Sequence, residues 1–494
     1  MSEKAKKGFK MPSSYTVLMI IIAIVAALTW IIPAGTYQAD PDGNLIAGTY
    51  STVEQTPQGF YEVVMSPVRA MLGTETVGQA IEVAFFVLMV GAFLGVVTET
   101  GALDVGIGSI VRRYKGREKM LIPILMILFA LGGTTYGMAE ETMAFYPLLI
   151  PVMLAVGFDT ITTLGIILLG SQLGTLASTV NPFATGIASS TAGISLAEGI
   201  GWRVIQWIII VGMGIFFVYR YASKIEKDPT KSLVYDKREE NLREFGLKEE
   251  AASATLTPVQ KRVLWVFGMT FVIMVISLIP WTKFNIPVFT WLNDVLTAIP
   301  GFGNSLELGD WYFPEVTMLF LFMAVLIGFV SKMGEERFFK AFMNGAADLL
   351  SVALIVALSR GIQVIMNDGQ ITATILHFGE KTLQGLGSQI FIVLTYIFYI
   401  PMSFLIPSTS GLAGATMGIM APLGQFADVP AHLIITAYQS ASGLVNLIAP
   451  TSGIVMGALA LSRVELGTWI KFVGKFLVAI FVVTAALLVV ATFF

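Results

Sequence analysis

The stretch Gly132-Gly133-Thr134-Thr135-Tyr136-Gly137-Met138-Ala139-Glu140-Glu141-Thr142 lies between two apolar arms. A helix needs roughly 20 mostly apolar residues to cross a bilayer, and each arm is shorter than that. Non-helical backbone at membrane depth persists only where it is buried in protein or lines a cavity. The stretch therefore predicts a re-entrant hairpin, at about 120–158, with its polar tip near the middle of a membrane.

The composition around this hairpin is that of a membrane protein. Of 494 residues, 55% are hydrophobic and 13% are charged, and the mean hydropathy is +0.78. The apolar residues form long blocks rather than amphipathic alternation. Blocks that read as spans lie at Tyr15–Ala34 and at about 79–98, 161–180, 203–222, 262–280, 314–331, 349–366, 430–448 and 466–494. We predict an all-α integral membrane protein.

The composition also excludes several chemistries. The chain has no cysteine, so disulfides, thiolate metal sites and a cysteine nucleophile are absent. A net charge of -3 provides no basic footprint for nucleic acid. His377 and His432 are too isolated in sequence to indicate a metal cluster. We predict no resident cofactor or metal, and coupling to Na+ or H+ stays open.

Basic residues predict the orientation, because cytoplasmic loops are enriched in Lys and Arg. Lys4, Lys6, Lys7 and Lys10 precede the first span, whereas Arg69 is the only basic residue of the loop 35–78. The basic run 112–119 follows the next apolar blocks. These signals predict a cytoplasmic N-terminus for a protein of the cell membrane.

The segment 223–261 is strongly polar, with lysines, arginines and a similar number of acids. We interpret it as a solvated cytoplasmic linker, without a binding role, between a first half at 1–222 and a second half at 262–494. Residues 120–188 and 390–460 share an order of apolar arm, polar tip, second arm, Asp-marked turn (Asp159, Asp428), span and proline break. We predict two related halves in an inverted-repeat transporter architecture, with about 10 transmembrane helices and two re-entrant hairpins, the second at about 390–426.

Three further polar breaks accompany the first tip. They are 406–414, which forms the tip of the second hairpin, and the span interruptions 177–186 and 446–453. Proline removes a backbone donor and interrupts a helix, which exposes carbonyls and helix ends that can bind ions or charged substrates. Small polar residues in membrane helices also allow close packing alone, and that alternative stays open for any single break.

The hairpin tips and the Pro-containing breaks resemble those of the ion transporter superfamily, which includes sodium-coupled dicarboxylate carriers. Met11-Pro12-Ser13-Ser14-Tyr15-Thr16 and Trp30-Ile31-Ile32-Pro33-Ala34-Gly35 are similar to the YfcC-type branch, the anaerobic dicarboxylate carrier-like family. The chain also resembles the streptococcal arginine/ornithine antiporters of that branch. The resemblance implies a secondary transporter that works by alternating access, and it implies a homodimer.

The first tip departs from the Ser-Asn-Thr pattern typical of the dicarboxylate carriers, because it reads Ala139-Glu140-Glu141-Thr142. A charged side chain at the bilayer centre costs roughly 2.5–3.5 kcal/mol on insertion scales, so two carboxylates there need partners or water. They repel an anionic substrate and suit a guanidinium or ammonium group. We therefore predict a carrier of cationic amino acids, most directly arginine/ornithine exchange, in the lipid bilayer.

Several alternatives remain at this point. One glutamate can face interfacial water while the other pairs with Arg360, or the pair can carry a proton because adjacent carboxylates repel each other. Arg360 itself can bind a substrate carboxylate or form a structural ion pair. A sodium- or proton-coupled symporter of dicarboxylates, peptides or other organic acids is the alternative function. A channel, or an intramembrane serine protease using Ser410 and His432, is less well supported by the paired hairpins.

The residues predicted to bind substrate come from the four breaks and from the polar interruption of the span 349–366. They are Glu140, Glu141, Thr142, Asn181, Ser408, Thr409, Ser410, Asn446, Thr451, Ser452 and Arg360.

Overall fold

The computed structural model describes residues 14–39, 45–113, 118–135, 137–246, 255–278, 281, 287–298, 308–309 and 311–494. Lys4, Lys6, Lys7 and Lys10 lie outside these residues, as do 114–117 of the basic run and Tyr136 of the first tip. The predicted orientation of the N-terminus therefore stays a prediction.

The first half contains nine helices and a small two-stranded sheet within the described residues. They are α1 (Ser14–Leu28), β1 (Gly35–Thr36), β2 (Ser51–Thr52), α2 (Phe60–Leu72), α3 (Ile81–Glu99), α4 (Ala102–Arg113), α5 (Leu121–Thr135), α6 (Tyr146–Ala155), α7 (Thr160–Leu176), α8 (Ile187–Thr191) and α9 (Ile200–Lys227). The strands pair antiparallel, with Gly35 opposite Thr52. Helix α7 contains a π-helical turn at Gly165–Leu169.

The linker and the second half supply the remaining described helices. They are α10 (Arg238–Phe245), α11 (Pro258–Leu278), α12 (Pro287–Thr297), α13 (Phe313–Val330), α14 (Glu335–Asp348), α15 (Leu350–Asp368), α16 (Ile371–Leu383), α17 (Ser388–Leu405), α18 (Thr409–Phe426), α19 (Ala431–Val445), α20 (Gly453–Leu461) and α21 (Leu466–Ala491). Every predicted span coincides with one of the helices of the two halves.

Length and composition allow seven of the described helical segments to cross a membrane. Apolar side chains on their outer faces, such as Ile208 and Phe216 of α9 and Val478 and Val482 of α21, are exposed. Large exposed apolar surfaces of this kind are stable against lipid rather than water. The chain is thus an all-α membrane protein of the multi-pass type, while the count of about ten spans and the inverted repeat stay predictions.

The first predicted span is shorter than expected. Helix α1 ends at Leu28, and the chain then turns into β1, with the Trp30 indole N–H donating to the Gln58 carbonyl (2.8 Å). Pro33 disfavours helical backbone in the residue before it. The Trp30–Gly35 motif therefore forms a turn above the helix and does not extend it.

Helices α7 and α19 lie at the centre of the protein. Every residue of α7 is buried, as is every residue of α19 except His432. Each helix follows a hairpin and ends at a proline-containing break, so the two occupy equivalent places in the order of the two halves. Neither helix has a charged side chain apart from His432, and helices without a polar face belong in the interior. The next long helices, α9 and α21, expose apolar side chains on their outer faces.

Small residues bring α5 against α7. A Cβ on Gly133 would lie 2.1 Å from the Ser171 carbonyl oxygen, and one on Gly174 would lie 2.2 Å from the Ala130 carbonyl oxygen. Such close backbone approach is how membrane helices gain packing energy without a hydrophobic driving force. It fixes the first hairpin against the central helix.

The first part of the segment 223–261 packs against the rest of the protein rather than being solvated on all sides. The Asp159 carboxylate, which caps α7, accepts hydrogen bonds from the hydroxyls of Tyr221 and Ser232 (2.6 Å each). Asn241 of α10 is 3% exposed, and Arg463 of the second half pairs with Glu244 (2.7 Å). Residues 228–246 thus pack between the end of α6 and the second half. The Ser232 hydroxyl in this segment satisfies the buried carboxylate of Asp159, and Glu244 pairs with Arg463.

Candidate functional site

The four polar breaks meet around one cavity of about 140 Å³. Its lining comprises Gly137, Ala139, Glu140, Glu141, Gln172, Thr175, Asn181, Phe183, Ala184, Tyr312, Phe313, Val356, Ser359, Arg360, Gln363, Pro407, Ser408, Thr409, Ser410, Asn446, Ser452, Gly453 and Ile454. The cavity is smaller than the roughly 300–1,000 Å³ typical of drug-sized ligands. It suits a small solute.

The first tip contributes two carboxylates. Glu140 and Glu141 begin a 3₁₀ helix, Glu140–Phe145, between α5 and α6. Glu141 is 8% exposed, and its Oε2 accepts the amide N–H of Ala139 (2.9 Å). Within the described residues no cation pairs with either carboxylate. Two carboxyl groups, one of them buried, therefore line the cavity without a basic partner in the part of the chain that the structure describes.

Hydrogen bonds join the first tip to the break that follows α7. The Thr134 hydroxyl donates to the Ala177 carbonyl (3.0 Å), and the Thr179 amide N–H donates to the Thr134 hydroxyl (2.9 Å). Asn181 Oδ1 accepts the amide N–H groups of Phe183 (2.9 Å) and Ala184 (3.2 Å). Exposed backbone groups of the break are thus satisfied by side chains, as buried polar groups require.

The second tip is held to α19 in a similar way. Ser408 caps α18 by accepting the Gly411 amide N–H (3.2 Å), and the hydroxyls of Thr409 and Ser442 lie 3.4 Å apart. The Tyr438 hydroxyl donates to the Thr409 carbonyl. The N-terminus of α18 therefore lies at the cavity, where its free amide groups contribute partial positive charge.

Arg360 faces the cavity from α15, but it does not pair with the glutamates. Its Nη1 donates to the carbonyl oxygens of Gly78 (3.0 Å) and Gln79 (2.8 Å). The alternative of a structural ion pair between Arg360 and a tip glutamate is wrong for this structure. Tyr312, Glu140, Glu141 and Arg360 all line the cavity, so acidic and basic side chains lie around the same space.

Among the residues predicted to bind substrate, only Thr142 and Thr451 do not line the cavity. Both are fully buried behind its wall. The Thr142 hydroxyl donates to the Ala139 carbonyl (2.6 Å) and so stabilises the 3₁₀ turn of the first tip. The structure brings the other predicted residues together from both halves.

Sequence reasoning missed Gln172, Thr175 and Tyr312. Gln172 and Thr175 lie on α7, and Tyr312 immediately precedes α13. The signal for Gln172 was present, because an amide inside an otherwise apolar span needs a partner. Tyr312 stands after a stretch of loop, and no local pattern connects it with the hairpin tips.

Several other charged residues pair with each other away from the cavity lining. Asp368 pairs with Arg69, Glu99 pairs with Arg337, and His377 lies 3.1 Å from Glu380. No group of His, Cys, Asp and Glu that could hold a metal occurs in the part of the chain that the structure describes.

The geometry gives no support to the protease alternative. His432 lies near Glu198 (3.6 Å) at the beginning of α19. The second tip, which carries Ser410, contacts Tyr438 and Ser442 towards the other end of that helix. A nucleophile and its base need hydrogen-bond contact. His432 lies at the beginning of α19, whereas the tip that carries Ser410 contacts the later part of that helix.

Comparison with known proteins finds relatives that match along almost the whole chain. An uncharacterized protein of Haemophilus influenzae is 31% identical over 99% of this chain and 98% of its own length. The putative basic amino acid antiporter YfcC of Escherichia coli is 25% identical over 98% of this chain and 97% of its own length. The YdaH transporter structure from Alcanivorax borkumensis covers 97% of this chain and 98% of its own, with a TM-score of 0.45 and 15% identity.

The family model of the DcuC C4-dicarboxylate anaerobic carriers matches residues 11–493, almost the whole chain. The matched range contains all four polar breaks and every residue that lines the cavity. The protein therefore belongs to the DcuC family of membrane transporters.

Proposed function

We propose that this transporter exchanges cationic amino acids, with arginine and ornithine as the pair, by alternating access across a bacterial cytoplasmic membrane. The observation that carries the proposal is the pair of carboxylates, Glu140 and Glu141, at the cavity without a counter-ion among the described residues. A buried charge is stable when it is paired and hydrogen-bonded. A guanidinium or ammonium group of a substrate supplies that pairing.

Other groups in the cavity lining suit the other end of an amino acid. The N-terminus of α18, capped by Ser408, and the N-terminus of α20, preceded by Ser452, both lie at the cavity. Helix N-termini favour negative groups, and Arg360 adds a positive charge. The cavity therefore combines an acidic side with an electropositive side, which matches a zwitterion that carries one further positive charge.

Exchange of arginine for ornithine is electrically balanced, because both substrates carry the same charge at neutral pH. Such exchange needs no ion gradient. The printed name of the similar protein YfcC, a putative basic amino acid antiporter, supports this substrate class.

A second candidate is a sodium- or proton-coupled symporter of dicarboxylates or other organic acids. Arg360 in the cavity wall and the description of the matching family, C4-dicarboxylate anaerobic carrier, favour it. In that case the two glutamates would bind the coupling cation.

Proteoliposome transport separates the two candidates. Labelled arginine is offered to vesicles loaded with ornithine, to empty vesicles and to vesicles loaded with succinate. We expect uptake only with internal ornithine, and we expect Glu140→Gln or Glu141→Gln to raise the half-saturating arginine concentration about 10- to 100-fold, which corresponds to the roughly 1.5–3 kcal/mol of a hydrogen bond to a charged group.

Glu75→Gln is the matched control, because Glu75 is exposed and lies outside the cavity wall. It makes the same change of charge and should leave exchange unaltered. Ion-driven uptake of succinate, without exchange of any cationic amino acid, would contradict the proposal and support the symporter.

A further inference from the structure

Two aromatic rings lie together at the cavity. Phe183 follows Pro182 in the break after α7, and Tyr312 immediately precedes α13. Their ring centroids are 5.2 Å apart, and the ring planes meet at 40°. Phe183 is 37% exposed and Tyr312 is 40% exposed, and both line the cavity. A ligand in the cavity can therefore touch both rings.

Hydrogen bonds and packing hold these rings in place. The Phe183 amide N–H donates to Asn181 Oδ1 (2.9 Å), and the Tyr312 amide N–H donates to Glu315 Oε2 (3.0 Å) at the beginning of α13. The Tyr312 ring also packs edge-on against the buried ring of Phe313, with the centroids 4.6 Å apart. Groups that are positioned before a ligand arrives lose less conformational entropy when it binds.

The corresponding break of the second half has no aromatic side chain at this place. Thr451 follows Pro450 in the break after α19, just as Phe183 follows Pro182 in the break after α7. Thr451 is fully buried, whereas Phe183 stays accessible. A break of this kind is therefore built without an aromatic ring, and its shape alone does not account for Phe183.

The chemistry of the cavity pairs the two rings with the two carboxylates of the first tip, Glu140 and Glu141, which line the same space. The face of an aromatic ring carries negative partial charge and attracts a cation within about 6 Å of its centroid. A guanidinium is planar and weakly hydrated, so its edge can donate to carboxylates while its face stacks on a ring. An ammonium group is compact and strongly hydrated, and it gains less from the ring.

We propose that Phe183 and Tyr312 form an aromatic platform for the guanidinium group of the substrate, with the N–H groups of its edge donating to Glu140 and Glu141. This assignment rests on the proposed function and extends it, because the platform makes the site prefer arginine to ornithine. A role in packing the break against the start of α13 alone would affect the two substrates equally.

The test is competition by unlabelled arginine or ornithine against labelled arginine uptake into ornithine-loaded proteoliposomes. The unaltered protein should bind arginine more tightly than ornithine. Phe183→Leu and Tyr312→Leu should each raise the inhibition constant of arginine about 2- to 30-fold and that of ornithine by less, so that the preference falls. Tyr312→Phe keeps the ring and should keep the preference.

A series of fluorinated phenylalanines at position 183 separates electrostatic attraction from packing. Fluorine withdraws electron density from the ring face and changes the size of the side chain little. The inhibition constant of arginine should rise stepwise from phenylalanine through its mono-, di- and trifluorinated forms, and that of ornithine should rise less. A packing role alone would leave the constants unchanged along the series.

Phe217→Leu is the matched control. The Phe217 ring stacks on the ring of Phe476, with the centroids 4.4 Å apart, and it does not line the cavity. This change also removes one ring of a contacting aromatic pair. It should leave the preference for arginine unaltered even where it lowers the yield of folded protein.

The outcomes are distinguishable. Absence of cationic amino acid exchange in the unaltered protein contradicts the proposed function. Normal exchange, with variants at Phe183 and Tyr312 that keep the preference or weaken arginine and ornithine equally, contradicts the aromatic platform alone. If Phe183→Leu does not elute as folded protein on size exclusion, the fluorinated series decides the question for that residue.

Discussion

Replacing Asp159 by asparagine should destabilise the protein far more than the same change at Asp428. Asp159 is 8% exposed and caps α7, where its Oδ1 accepts the Thr162 amide N–H (2.8 Å) and hydroxyl (2.7 Å). Its Oδ2 accepts the hydroxyls of Tyr221 and Ser232 (2.6 Å each). Asparagine keeps one acceptor oxygen and removes the charge, so at least two of these bonds weaken or are lost.

The magnitude follows from the bonds. Each hydrogen bond to a charged group contributes about 1.5–3 kcal/mol, and one to a neutral group about 0.5–1.5 kcal/mol. An amide nitrogen cannot accept the two hydroxyl hydrogen bonds on Oδ2, so we expect the free energy of unfolding to decrease by about 3–6 kcal/mol. Loss of the Ser232 contact also releases the linker from the end of the first hairpin.

Asp428→Asn is the control. Asp428 is the counterpart of Asp159 in the second half, but its backbone has φ of 53° and no hydrogen bond of its side chain occurs within the described residues. Asparagine tolerates this left-handed conformation, so the change should be within about 0.5 kcal/mol. Denaturant unfolding in detergent, followed by tryptophan fluorescence, measures both. Equal decreases in the free energy of unfolding for the two variants would refute the conclusion that the hydrogen bonds of Asp159 hold the linker in place.

Three further results are expected. Gly174→Val should prevent folding of the first hairpin against α7, because even a Cβ would lie 2.2 Å from the Ala130 carbonyl oxygen; a normal yield on size exclusion would contradict this. Thr134→Val should keep the shape of the residue but remove the hydroxyl that joins the tip to the following break, costing about 1–3 kcal/mol and reducing exchange in proteoliposomes. Arg463→Ala should lower the free energy of unfolding by only about 0.2–1 kcal/mol, because the ion pair with Glu244 is largely solvent-exposed; a loss several times larger would mean that the linker depends on this pair.

The cavity has an asymmetry that hydropathy does not reveal. The first tip brings Glu140 and Glu141, whereas the second tip brings hydroxyls and a helix N-terminus. Related halves usually build a transporter site at their interface. Here the two halves contribute groups of opposite electrostatic character, which fits the zwitterionic cation proposed as the substrate.

The sequence by itself determined the membrane class and the positions of the helices and polar breaks. The free energy of placing an apolar block in lipid is a sum over neighbouring residues, so the spans can be located without knowledge of any contact. Proline acts equally locally, which is why the breaks after α7 and α19 were found at 177–186 and 446–453.

Only the tertiary structure decided which side chains meet. Gln172 and Tyr312 join the cavity because α7 and the start of α13 converge on the hairpin tips. Arg360 binds the carbonyl oxygens of Gly78 and Gln79 rather than a glutamate. Ser232 of the linker reaches Asp159. Contacts of this kind depend on how helices far apart in sequence cross and pack, and neither the hydrophobic pattern nor the charge of a segment contains that information.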